Sequence, residues 1–141
     1  MKKRWIPVLA VLICIILPAF GRPEDESTLR LARTLYTLAA SEDYETKIAL
    51  GTVVMNRVEN PWYPATVEEV LSQQQQFPCG SRYDEESLAA AHAVLSGKRA
   101  FGRDILSYQA KDATFARPAS DAAAEAGGYC FYCQDLHPIL D

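Results

Sequence analysis

Past residue 22, the side chains with most chemical scope are a few aromatic rings and amides. Tyr36, Phe77 and Tyr108 are rings of the kind that stack on sugars, and Gln76 and Gln109 supply amides that could hydrogen-bond beside them. A ring with an apolar face, set next to groups that both donate and accept, suits a carbohydrate surface. Tyr36 also falls at a helical core spacing, so packing competes with binding there. Cys79, Cys130 and Cys133 are expected to form one disulfide, pairing Cys79 with either Cys130 or Cys133. The alternative sets all three with His137 around a structural zinc ion, and an oxidising destination argues against it. No metal and no cofactor is therefore expected, and neither a Ser/His/Asp nor a Cys/His nucleophile pattern is present.

These side chains need a scaffold, and the chain has length for one. Of 141 residues, the first twenty-one read as a signal peptide. Lys2, Lys3 and Arg4 form its positive end, Ile6 to Phe20 its apolar stretch, and Ala19-Phe20-Gly21 its cleavage site. The apolar run, broken by Pro7 and Pro18, is shorter than the ~20 residues needed to span a bilayer. An uncleaved anchor is the competing account. Residues 22–141 then form one domain, expected to be secreted or held in the cell envelope, touching membrane only through the export signal. Hydrophobic residues at 49% and charged residues at 23% mark a chain that can bury a core. The net charge of -4, with no Lys/Arg cluster beyond residue 22, excludes nucleic acid as a partner. The oligomeric state is not legible.

The periodicity predicts an α+β, mainly helical domain with a short β element. Leu29, Ala32, Leu35, Tyr36 and Ala39 recur at steps of three and four, predicting a first helix capped by Ser27 or Thr28 and ending near Ala40. After a turn at Ser41-Glu42-Asp43 that could cap it, a second helix is expected over Tyr44 to Val58, in which Ile48 to Met55 is apolar on nearly every side and marks a core helix; a buried strand is the competing account. Thr66-Val67-Glu68-Glu69 is a capping box for a short third helix ending near Gln73. Asp84 to Ser96 reads as a fourth, stopped by Gly97. Ile105 to Gln109 and Gly128 to Tyr132 read as strands, and Lys111 to Ala126 as a long loop. Asn56-Arg57, ending the core helix, is expected to bridge to a neighbouring element.

The stretch LARTLYTLAASEDYETKIALGTVVMNRV, Leu31 to Val58, resembles the opening of the SleB-like family of spore-cortex and cell wall hydrolases. That family carries Tyr-[Gly/Ala]-Glu-Ala-Arg-Gly-Glu-x-Tyr-Glu followed by Val-Val-x-Asn-Arg-Val, and Tyr36, Ala39, Glu42, Tyr44, Glu45, Val53, Val54, Asn56, Arg57 and Val58 fall in place without a gap. Gln76-Phe77 resembles its Gln-Phe-Ser element, Ser107-Tyr108-Gln109 its Tyr-x-Asn-Pro strand, and Gly128 to Phe131 its closing strand. The resemblance implies a small lysozyme-like fold that cleaves the glycan backbone of peptidoglycan or spore cortex, as a glycosidase or lytic transglycosylase.

It also implies a departure. The family's general acid is the first glutamate of the Tyr-[Gly/Ala]-Glu segment, and here that position is Leu38. Glycosidic cleavage needs a carboxylic acid held protonated beside the leaving oxygen, which leucine cannot provide. Glu42 would lie one turn on, ~6 Å along the axis, if the first helix continued that far. It is the only catalytic candidate, and a cap or turn residue is the competing account. Three outcomes follow: weak or lost hydrolase activity, a non-catalytic glycan-binding or regulatory relative, or a structural envelope protein.

Overall fold

The computed structural model describes residues 24–114 and 117–133. The leader assigned to residues 1–21, the domain's ends at 22 and 141, and His137 lie outside the described residues. Four helices precede a small sheet: α1 Glu26–Ala39, α2 Tyr44–Val58, α3 Val67–Leu71 and α4 Glu85–Leu95, then β1 Ile105–Ala110, β2 Ala124–Ala126 and β3 Tyr129–Cys133, with one 3-10 turn at Ala119–Asp121. The sheet is antiparallel with order β1-β3-β2. The mainly helical α+β expectation holds. Among the described residues no helix is long and apolar enough to cross a membrane.

Helix α2 is the centre, touching α1, α3, α4, β1 and β2. Its Ile48, Leu50, Val53 and Val54 are fully or almost fully buried, each contributing about 1.5–3 kcal/mol by leaving water. Gly51 lets α4 close in, since a Cβ there would meet Val94 Cγ2 at 2.9 Å. Two polar side chains inside are well matched. Thr52 donates to Ile48 O at 2.7 Å and accepts from Ala100 N at 3.0 Å. Lys47, 1% exposed, donates to Glu42 O at 2.9 Å and pairs with Glu86 of α4. A buried ammonium is tolerable only with such partners, and this one pins the α1–α2 turn to α4.

Three details differ from the sequence expectation. Helix α1 starts earlier, because Asp25 is the N-cap and accepts from Thr28 N at 2.8 Å, which places Ser27 and Thr28 inside the first turn. Its buried face centres on Leu31, Ala32 and Leu35, leaving Leu29 and Tyr36 half-buried. The stretch expected as one loop holds β2, whose Ala124, Glu125 and Ala126 pair with Phe131, Cys130 and Tyr129. Two small residues and one charge give no periodic signal, so that strand exists through its pairing with β3.

Three helices share one device. Asp25, Asp43 and Asp84 cap α1, α2 and α4 and accept from the amides of Thr28, Thr46 and Ser87. These bonds hold each carboxyl below its ordinary value: the Thr28 amide and side chain at Asp25, the Thr46 hydroxyl and amide at Asp43, the Ser87 side chain and amide at Asp84. Since folding lowers these values, the unfolded chain binds more protons in acid. The stabilisation is complete above the ordinary value of 3.8 and is lost as pH falls through the lowered folded values. Thermal melts from pH 7 to pH 2 should therefore show an acid limb below about pH 4. The triple variant Asp25→Asn, Asp43→Asn, Asp84→Asn keeps neutral caps and should flatten it; an unchanged limb would place the acid sensitivity elsewhere.

Candidate functional site

The C-terminal turn of α2 delivers two polar side chains to the sheet. Asn56 Nδ2 donates to Gly102 O at 2.8 Å and to Ile105 O at 2.9 Å, which is the bridging expected of this pair. Arg57 Nε donates to Leu106 O at 2.7 Å. Leu106 sits at a bulge in β1, where the register jumps between Ile105 and Ser107, and its carbonyl meets the guanidinium instead of a strand. The Arg57 Nη1 group donates to Gln73 Oε1 at 3.1 Å and Gln76 Oε1 at 3.2 Å, and Nη2 to Gln76 Oε1 at 3.2 Å. The rings of Tyr63 and Phe77 each lie 5.1 Å from its central carbon, within cation–π range. Burial draws the Arg57 pKa down, with Tyr63 and Tyr108 acting the other way; a guanidinium stays charged regardless.

Above this cation lies an open groove of about 670 Å³. Gln76, Tyr108 and Gln109, expected from sequence, line it together with Gln73, Tyr63 and Arg117, which were not. Phe77, also expected, is buried beneath, its ring 5.6 Å from Tyr108. The Tyr108 hydroxyl donates to Gln76 O at 2.6 Å, and burial, then Tyr129, pushes its pKa up to about 12. Tyr63 is raised by burial as well, so both rings keep neutral hydroxyls across the physiological range. Gln75 turns the glutamine run with a φ of 59°, a left-handed conformation costing about 1–2 kcal/mol. Tyr36 does not line the groove.

The end of α1 lies on the other side of Tyr108. Tyr129, its ring 6.0 Å from Tyr108, donates from its hydroxyl to Leu38 O at 2.6 Å. Leu38 itself is half-buried and packed on the core. The helix stops at Ala39, so Glu42 is not stacked one turn beyond Leu38. Its backbone closes a turn onto Ala39 O at 3.1 Å, and its carboxylate crosses to the β2–β3 connection, accepting from Gly128 N at 3.2 Å. Gly127, with φ of 51°, leaves the space: a Cβ there would meet Glu42 Oε2 at 2.1 Å. The helix cap is Asp43, not Glu42.

Among the described residues Cys79 is an exposed free thiol and Cys130 a buried one, and Cys133 is half-buried with Sγ 3.2 Å from Asp104 Oδ2. The bridge expected from Cys79 is not formed in this structure: Cys79 lies beside Arg33 and Thr34 of α1, whereas Cys130 and Cys133 belong to β3. Among the described residues no group of three or more His, Cys, Asp or Glu side chains could hold a metal ion.

A helical layer around one buried helix, a three-stranded sheet at its end and an open polar groove between them define a lysozyme-like domain. The Cell Wall Hydrolase family matches residues 41–132, which takes in Glu42, the groove and the sheet as far as Tyr132, and the chain belongs to that family. Two solved structures share the fold. The catalytic domain of the Bacillus cereus SleB protein superposes with a TM-score of 0.67 at 20% identity, covering 81% of this chain and 94% of that one. The catalytic domain of the germination-specific lytic transglycosylase SleB from Bacillus anthracis gives 0.68 at 20% identity, covering 81% and 98%. No curated protein matches significantly.

The Glu42 contact can be tested by a double-mutant cycle in denaturant. Gly127→Ala should cost about 1–3 kcal/mol, from left-handed strain plus the displaced Glu42–Gly128 bond. In a Glu42→Ala background the bond is already gone, so the cost should fall. Strictly additive losses would show that Glu42 does not hold this turn.

Proposed function

We propose that this protein is an exported, peptidoglycan-directed member of its family that holds glycan in the groove over Arg57 and cleaves it weakly or not at all. The observation that carries the reading is Leu38. In the segment Tyr36-Thr37-Leu38-Ala39-Ala40-Ser41-Glu42 it takes the position of the family's acid, and it is packed on the core with its carbonyl held by Tyr129. A glycosidase or lytic transglycosylase protonates the leaving oxygen from a carboxyl group placed within hydrogen-bond reach. Leucine donates nothing, and Glu42 is engaged with Gly128 N. The groove's rings and amides retain the character of a carbohydrate surface. Export is supported by the leader-like residues 1–21 and by a substrate that lies outside the cytoplasm.

Glu42 as a relocated acid is the second reading, favoured by its position beside Tyr129, whose pKa is raised by burial and then by Glu42. Since ~1 Å of misplacement can cost about a hundredfold in rate, such an acid would support slow turnover at best.

Muropeptide release from purified peptidoglycan decides among these. The natural protein should release few or none, and Leu38→Glu, once shown to be folded, should raise release by about 10² to 10⁴. Leu38→Glu is expected to melt lower, because a carboxyl without a partner is costly at a half-buried site. Release at rates typical of a hydrolase, abolished by Glu42→Gln, would make Glu42 the acid and overturn the reading from Leu38.

A further inference from the structure

The donor and acceptor ends of the groove's amides are settled by their partners. A guanidinium has only N–H groups to offer, so the oxygens of Gln73 and Gln76 must face Arg57. Gln109 Oε1 likewise accepts from Arg117 N at 2.9 Å. Each of these amides thereby has its oxygen turned to the protein, which leaves its N–H₂ end as the one presented to a ligand. Arg57 uses four of its five N–H groups in the bonds given above, keeping one on Nη2. Arg117, stacked 4.6 Å over the Tyr132 ring, adds a second positive charge to the lining. Among the described residues no Asp or Glu lines the groove, on a chain whose net charge is -4.

The charge at the base is also met only by neutral groups. Arg57 is 4% exposed and its partners are a carbonyl, two amides and two rings. Among the described residues no carboxylate lies within ion-pair distance of it. A buried cation without an anion is costly, and an anion arriving in the groove offsets that cost. A volume near 670 Å³ is in the range that holds a small ligand of about disaccharide size.

We infer that this groove selects a carboxylate-bearing saccharide over a neutral one. The inference rests on the peptidoglycan reading and adds the ligand's charge: the part of the glycan taken here is a sugar carrying a free acid, with its carboxylate oxygens facing the amide N–H₂ groups and the field of Arg57. Neutral sugar hydroxyls could use the same donors, but they gain nothing from the cation.

Calorimetric titration of the full exported chain with four probes tests it. They are the disaccharide of N-acetylglucosamine and N-acetylmuramic acid with its lactyl carboxyl free, the same disaccharide as its methyl ester, chitobiose, and the sugar-free dipeptide L-Ala-D-Glu. The free acid should bind about tenfold or more tighter than the ester and chitobiose, the increment of a charge-assisted hydrogen bond. It should also bind tighter than the dipeptide, and weaken as salt is raised. Gln76→Glu, nearly isosteric, places a carboxylate on Arg57 and removes one donor; acid and ester should then bind alike, and a preference for the acid that survives this change would overturn the role of the Arg57 charge. Equal affinity for acid, ester and chitobiose would overturn charge selection and leave glycan binding standing. Dipeptide binding as tight as the free acid would overturn the sugar as the source of the carboxylate. No binding of any probe would overturn both this inference and the glycan reading.

Discussion

The guanidinium of Arg57 is the constraint on which the site depends. One side chain at the end of α2 holds the β1 bulge through Leu106 O, the glutamine turn through Gln73 and Gln76, and the rings of Tyr63 and Phe77 by its faces. Arginine can do this because its donors lie in one plane and diverge at fixed angles while its faces remain free to stack. A lysine would supply a point charge and could not orient two amides and a carbonyl at once. The left-handed Gln75 is tolerated on the same account, since the turn that contains it is held from both sides.

The other end of the site is organised by exclusion of charge. Leu38 adds to the core, Tyr129 caps the last turn of α1, and Glu42 is drawn to the β2–β3 connection, where Gly127 and Gly128 leave it room. Lys47 secures the same turn from below through Glu42 O. The family's fold and a groove lined by amide donors thus coexist with a leucine at position 38. Binding needs the first two features, and glycosidic cleavage would need a proton donor as well.

How far the sequence was legible follows the range of each interaction. Helix α2 could be bounded at Tyr44 and Val58 because a long apolar run is a local signal. The α1 cap was misplaced by two or three residues, since Asp25, Ser27 and Thr28 are all capping types and only the geometry chooses. The β2 strand was not legible, being three residues fixed by partners. In the site, Gln76, Tyr108 and Gln109 were recognisable by type. Gln73, Tyr63 and Arg117 were not: the Arg57 guanidinium draws in Gln73, sixteen residues on, and stacks on Tyr63, while Arg117 joins through the Tyr132 ring and Gln109. A bridging role for Arg57 was readable from its place at the end of a core helix, its place under the groove was not. The path of Glu42 hinged on where α1 stops, and Asp43 capping α2 forces that stop at Ala39.

The central claim is that groove and catalysis have separated in this chain. Nuclear magnetic resonance of the natural protein with a soluble peptidoglycan tetrasaccharide, followed over days, reads both properties in one sample. The account predicts shifts confined to the groove amides and backbone of Gln73, Gln76, Tyr108 and Gln109, while the sugar signals show the tetrasaccharide intact. Accumulation of cleaved sugar ends, or shifts that map away from Arg57 and its partners, would contradict it.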